Sequence, residues 1–246
     1  MIRIVLGVAA AALISAFLSP QFGFDAASVP TYLGFLLGLA VVLISFEVPG
    51  ILVHRTALGD AGRLRLLPWT LVVAALFVLI SRIAQLQPGY LYGVVLGVVF
   101  MRSASEKDEG REAAAGMIWT LLVSVVGWLV LSWLRGGGLG SDAFVVPMLQ
   151  TAAGAVVVSG LEAVGFGLMP LAFMPGRAIY RWHRWAWAAL FFVSVAAFIH
   201  ILIGPTSGYL ADLSPGAWIA ALAIFALFGA VSIGFWAWFR FRPSPA

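Results

Sequence analysis

The chain has 246 residues, of which 63% are hydrophobic and only 10% charged, with a net charge of +4 and a mean hydropathy of +1.06. Soluble domains carry about 25% charged and 45–50% apolar residues, and no soluble fold of this length hides so much apolar surface, so lipid is the expected solvent for most of the chain. The absence of cysteine excludes disulfides, thiolate metal sites and cysteine nucleophiles.

A chain crosses the hydrocarbon core as a helix of about 20 apolar residues, and only helices or closed barrels satisfy their backbone there. Continuous apolar runs without alternation predict an all-α integral membrane protein with eight spans. These are Ile4–Ser19, Tyr32–Val53, Leu67–Gln85, Tyr90–Met101, Ala113–Leu134, Phe144–Met169, Trp185–Gly204 and Ala217–Phe239. Proline and glycine mark the breaks, at Pro20, Pro88-Gly89, Gly136-Gly137-Gly138, Pro205 and Pro215-Gly216. No strands are expected. The first run also has the form of a secretory signal, but the topology uses it as a span. The fourth is short: its dozen apolar residues cover only about 18 Å as a helix.

The basic residues, 13 Arg and Lys107, set the orientation. With eight spans and the N-terminus inside, twelve of them face the cytoplasm, Arg135 lies outside and Arg82 lies within a span. A re-entrant fourth run puts eight outside and five inside, against the positive-inside rule. Both termini are therefore expected in the cytoplasm, in a bacterial plasma membrane. The charged stretch SASEKDEGREAAAG (103–116) reads as a solvated helix start. The arginines and aromatics of PGRAIYRWHRWAW (175–187) read as an interfacial belt facing anionic headgroups, not a nucleic-acid surface.

Two pairs of segments resemble each other. VVLISFEVPG (41–50) and VVVSGLEAVG (156–165) align at an offset of 115, and both LISRIAQLQPGYL (79–91) and AFIHILIGPTSGYL (197–210) place an ionisable residue ahead of Gly-Tyr-Leu. Two four-span halves in the same orientation, 1–112 and 113–246, are the expected organisation, with Glu47 matching Glu162 and Arg82 matching His200. Halves with an even number of spans are related by an axis along the membrane normal.

Ionisable side chains within spans mark functional positions, which makes Glu47, Glu162, Arg82 and His200 the candidate binding or proton-carrying residues. Glu47 and Glu162 fall in the cytoplasmic third of their spans. Arg82 and His200 fall near the outer ends of theirs, where Arg82 has helix-end carbonyls and the outer surface in reach. Gly50 and Gly165 each follow a glutamate by three residues on the same helical face, and Pro49 loosens the helix beside Glu47. Gly34-x-x-x-Gly38 and Gly93-x-x-x-Gly97 suit close helix packing.

Known catalytic patterns are missing. His54, His183 and His200 lie on separate segments without the H-E-x-x-H spacing of zinc proteases, and no phosphate-binding loop is present. No cofactor or metal is expected. Three readings fit the chain. The first is a protein handling a small solute, lipid or proton between two helical halves around the intramembrane glutamates. The second is a non-catalytic scaffold or subunit of a larger assembly, and the third an enzyme acting on a lipid-linked substrate. Expected partners are membrane lipids and a second membrane protein or another copy of the chain, with no nucleic acid.

Overall fold

The computed structural model describes residues 2–19, 21–59, 63–66, 68–83, 96–99, 104–140, 142–171 and 174–203. Helix α1 spans Ile2–Ala16, and a 3-10 turn, Ala26–Ser28, leads into α2, Val29–Leu58. Then follow β1 (Arg63–Leu66), α3 (Pro68–Ile83), β2 (Leu96–Val99), α4 (Glu106–Arg135), α5 (Val145–Gly167), α6 (Pro175–Trp182) and α7 (Arg184–Phe198), which passes into one π-helical turn, Ile199–Ile203. Among the described residues, four helical segments are long and apolar enough to cross a membrane: Ala26–Ala57, Glu106–Arg135, Val145–Gly167 and Arg184–Leu202. Two shorter apolar helices, Ile2–Ala16 and Trp69–Ile83, accompany them. The protein is a helical integral membrane protein.

Six of the eight predicted spans fall on these helices. The eighth, Ala217–Phe239, lies outside the described residues. The fourth is corrected where it is described. Leu96–Val99 is extended and pairs antiparallel with Arg63–Leu66, Arg63 opposite Val99 and Leu66 opposite Leu96. A run this short falls well below the membrane thickness as a helix, and its valines favour a pleated surface. The expectation of no strands is corrected with it.

Local signals set the helix ends. Ser105 caps α4 by accepting the Asp108 amide, and Glu106, Asp108 and Glu109 in the first turn complement the helix dipole. The helix then runs unbroken past residue 112 to Arg135. Beyond it, Gly137 and Gly140 adopt φ of 87° and 73°, left-handed values that glycine reaches without strain. Asp142 starts α5 by accepting the amides of Phe144 and Val145 at 2.9 and 2.6 Å. Helix α2 continues through Pro49, which has no N–H to offer the Ser45 carbonyl.

Lipid is as apolar as leucine, so helices in a membrane associate through close packing of small residues. Helices α2, α4 and α5 form such a core. A Cβ on Gly34 would stand 2.6 Å from the Met148 carbonyl and from Thr151 Cβ, and one on Gly38 would stand 2.6 Å from Ala155 Cβ and 2.7 Å from the Ala152 carbonyl. In the pairs Gly34–Thr151 and Gly38–Ala155 the partner stands 117 positions further along, so α2 and α5 run parallel in one register. Helix α4 runs opposite to both: Phe46 meets Gly116, and Gly50 meets Glu112. On one flank α1 and α3 pack through Ala11, Ala12, Leu39 and Leu71. On the other, α6 and α7 cover a cluster that includes Met117, Leu161, Leu168 and Ile179. Apolar side chains such as Leu6, Ile44, Leu122, Leu129 and Phe192 remain exposed on the outer surface, where lipid meets them.

Two outcomes test this account. Gly38→Ala pushes a methyl group against backbone and should destabilise the protein by about 1–3 kcal/mol, whereas Gly165→Ala, with nothing described within 4 Å, should leave thermal unfolding unchanged. The two amide hydrogen bonds hold the Asp142 carboxyl below its ordinary pKa of 3.8. A depressed folded pKa gives stability that is present above the unfolded value and lost as pH falls through the folded one. The Tm advantage of the parent over Asp142→Ala should therefore be constant above about pH 5 and shrink as pH falls below 3.8.

Candidate functional site

The last turns of α2 carry Glu47, Gly50 and His54, spaced three and seven residues apart and hence on one face. That face meets the start of α4. His54 is buried, with a side chain 1% exposed, and its Nδ1 lies 3.0 Å from Oε2 of Glu112, which is 22% exposed. Gly50 makes the approach feasible, since a Cβ there would stand 3.2 Å from Glu112 Cγ. One turn along, the Phe46 carbonyl lies 2.6 Å from the place of a Cβ on Gly116, so α2 and α4 are in backbone contact on the membrane side of the couple. Glu47 and Glu109 are both near enough to act electrostatically on Glu112. A histidine held this way either accepts a proton from a carboxylic acid at Nδ1 or donates one to a carboxylate, so the couple stores one proton across a single hydrogen bond.

Toward the membrane centre the same three helices bury hydroxyls. Ser45 Oγ donates to the Val42 carbonyl at 2.8 Å and lies 3.4 Å from Thr120 Oγ1. Ser124 Oγ bonds the Thr120 carbonyl at 2.8 Å and lies 3.4 Å from the Val156 carbonyl of α5. Glu162, 4% exposed, lies seven residues beyond Ala155 on the α5 face that meets α2. The register that seats Gly38 on Ala155 sets Ser45 level with Glu162. Glu47 is two residues further along α2, about 3 Å deeper toward the end of the helix.

Arg82 stands apart from this cluster. It lies in the last turn of α3, where Nη1 donates to the Phe17 carbonyl just past α1 at 3.1 Å and the guanidinium sits 5.9 Å from the centre of the Phe17 ring. His200 lies in the π-helical turn, its ring edge-on to Trp128 at 5.9 Å, and it is likewise outside the cluster. Gly97 belongs to β2 opposite Arg65; Gly93 lies outside the described residues. Gly165 has nothing within 4 Å among the described residues.

The arginine and tryptophan segment forms α6, strapped across the start of α4. Arg181 pairs with Glu106, and Trp182 lies so close over Gly110 that any side chain there would strike it. Arg177, Tyr180, Arg184 and Trp185 stay exposed. His183 joins α6 to α7, its Nδ1 accepting the Ala186 amide at 3.1 Å. Among the described residues, no group of three His, Asp or Glu is arranged to hold a metal ion.

Sequence reasoning missed His54 and Glu112 as partners. Glu112 is the last acid of a charged run that reads as solvated, and His54 lies outside any catalytic spacing. The available signal was helical periodicity, which sets Glu47, Gly50 and His54 in line on α2. Glu112→Ala should lower stability by about 1–3 kcal/mol by leaving a buried imidazole short of a partner, while Glu112→Gln should retain most of it; unfolding in mild detergent distinguishes the two. Comparison with family models, curated proteins and solved structures finds no match for this chain.

Proposed function

We propose that the protein handles a small solute, a lipid headgroup or a proton within the seam of α2, α4 and α5, around Glu47 and Glu162. The observation that carries this reading is the shared depth of the two carboxylates on parallel helices, beside the buried hydroxyls of Ser45, Thr120 and Ser124. Polar groups gathered inside a membrane bundle are costly to keep there and mark pathways or binding positions.

The duplication of the chain belongs to this reading. Helices α2 and α5 start 116 positions apart, and so do α3 and α7. An axis along the membrane normal leaves depth unchanged, so equivalent residues of two such halves stand level. The packing register of 117 lies within two residues of the offset of 115 between the glutamate segments. Both ends in the cytoplasm of a bacterial plasma membrane belong to the same proposal. Ile83 ends α3 beside the end of α1, while Glu106 starts α4 at the opposite end of the bundle, beside the end of α2.

Native mass spectrometry of the protein in mild detergent tests the reading against the Glu47→Gln/Glu162→Gln double variant. The expected result is a defined small molecule or lipid that stays with the parent and leaves the variant. A stoichiometric protein partner that stays with both, and no such ligand, makes the seam structural and the protein a scaffold.

A further inference from the structure

We propose that the His54–Glu112 couple is a proton-exchange site serving the cytoplasmic end of the seam, with Glu47 as the next acceptor inward. The proposal rests on the seam being a passage and names the proton as the species it exchanges. Glu112 is the one member of the couple that reaches solvent, and His54 is enclosed. Glu112 stands level with Gly50, one helical turn from Glu47, with which it interacts electrostatically. Glu112, partly exposed, thus stands between the buried imidazole of His54 nearer the end of α2 and Glu47 one turn nearer the membrane centre.

The exchange balances without a further reactant. A proton from water attaches to the Glu112 carboxylate and crosses the 3.0 Å hydrogen bond to Nδ1 of His54, leaving an imidazolium beside a carboxylate, a pair stabilised by its own attraction. Return of that proton to Glu112 releases it to water or passes it to Glu47, one turn inward, in each case with one proton gained and one given up. Among the described residues, the charged groups that act on Glu112 are Glu47 on α2 and Glu109 on α4; Arg181 of α6 pairs with Glu106, and Arg55 and Arg111 are exposed.

Gly50 supplies a control that leaves every titratable group in place. A Cβ there stands 3.2 Å from Glu112 Cγ, so Gly50→Ala displaces the carboxylate relative to His54. Infrared difference spectra of the protein in liposomes, recorded between acid and neutral pH, report the C=O stretch of protonated carboxyls. Proton entry driven by a potassium diffusion potential with valinomycin, read by an entrapped pH dye, reports passage. The expected result is a carboxylic-acid band that disappears in Glu112→Gln and shifts in both Gly50→Ala and His54→Asn, with proton entry reduced to that of protein-free liposomes in Glu112→Gln. A spectrum unchanged by Glu112→Gln overturns the site. The expected band without proton entry in the parent upholds the site and removes the passage reading alone.

Discussion

At Gly34 and Gly38 the backbone of α2 comes so close to α5 that a single methyl group on either side of the contact has no space. Water does not drive helices together inside a bilayer, so contacts of this kind have to supply the attraction. They also fix how far one helix slides along the other, because a glycine opposite Thr151 or Ala155 fits at one register only. Every later feature of the interior depends on that setting. It brings Ser45 level with Glu162, keeps Glu47 near the same depth, and leaves the lower part of α2 free to meet α4 through Phe46, Gly50 and His54.

The polar groups of the interior follow a gradient. Near the membrane centre they are hydroxyls, which answer their own helix carbonyls as Ser45 and Ser124 do, at little risk of leaving a buried group unmatched. Glu162 stands level with Ser45, Glu47 comes next, and the His54–Glu112 contact is placed where Glu112 reaches water. That pair, expensive to desolvate, is thus nearest the surface, and the opposite end of the bundle carries its own charge, Arg82, bound to the carbonyl that closes α1.

How much of this is legible in the sequence differs from one element to the next. Hydropathy reports the solvent a segment prefers, which is why six predicted spans lie on helices and why Ser105 and the acids behind it mark the start of α4. It fails at Leu96–Val99, where an apolar run too short to cross as a helix pairs with Arg63–Leu66 instead. It is also blind to facing. Glu112 looks like one more acid among Glu106, Asp108 and Glu109, and only the closeness of α2 to α4 separates it from them. Likewise Gly34 and Gly38 read as generic packing glycines, while the register they lock requires knowing that α5 presents Thr151 and Ala155 to them.

Helix α6 carries a mechanical consequence. It is fastened to α4 at its last two residues, through Trp182 on Gly110 and Arg181 on Glu106, and it continues at once into α7 through the single extended residue His183, at φ −157° and ψ 98°. The fastening and the corner therefore coincide, and α4 holds the chain where α6 hands over to α7. Three hydrogen bonds fix that corner, from the His183 amide to the Ile179 carbonyl, from the Trp187 amide to the His183 carbonyl and from the Ala186 amide to the His183 ring, so the direction in which α7 enters the membrane is set at a single residue.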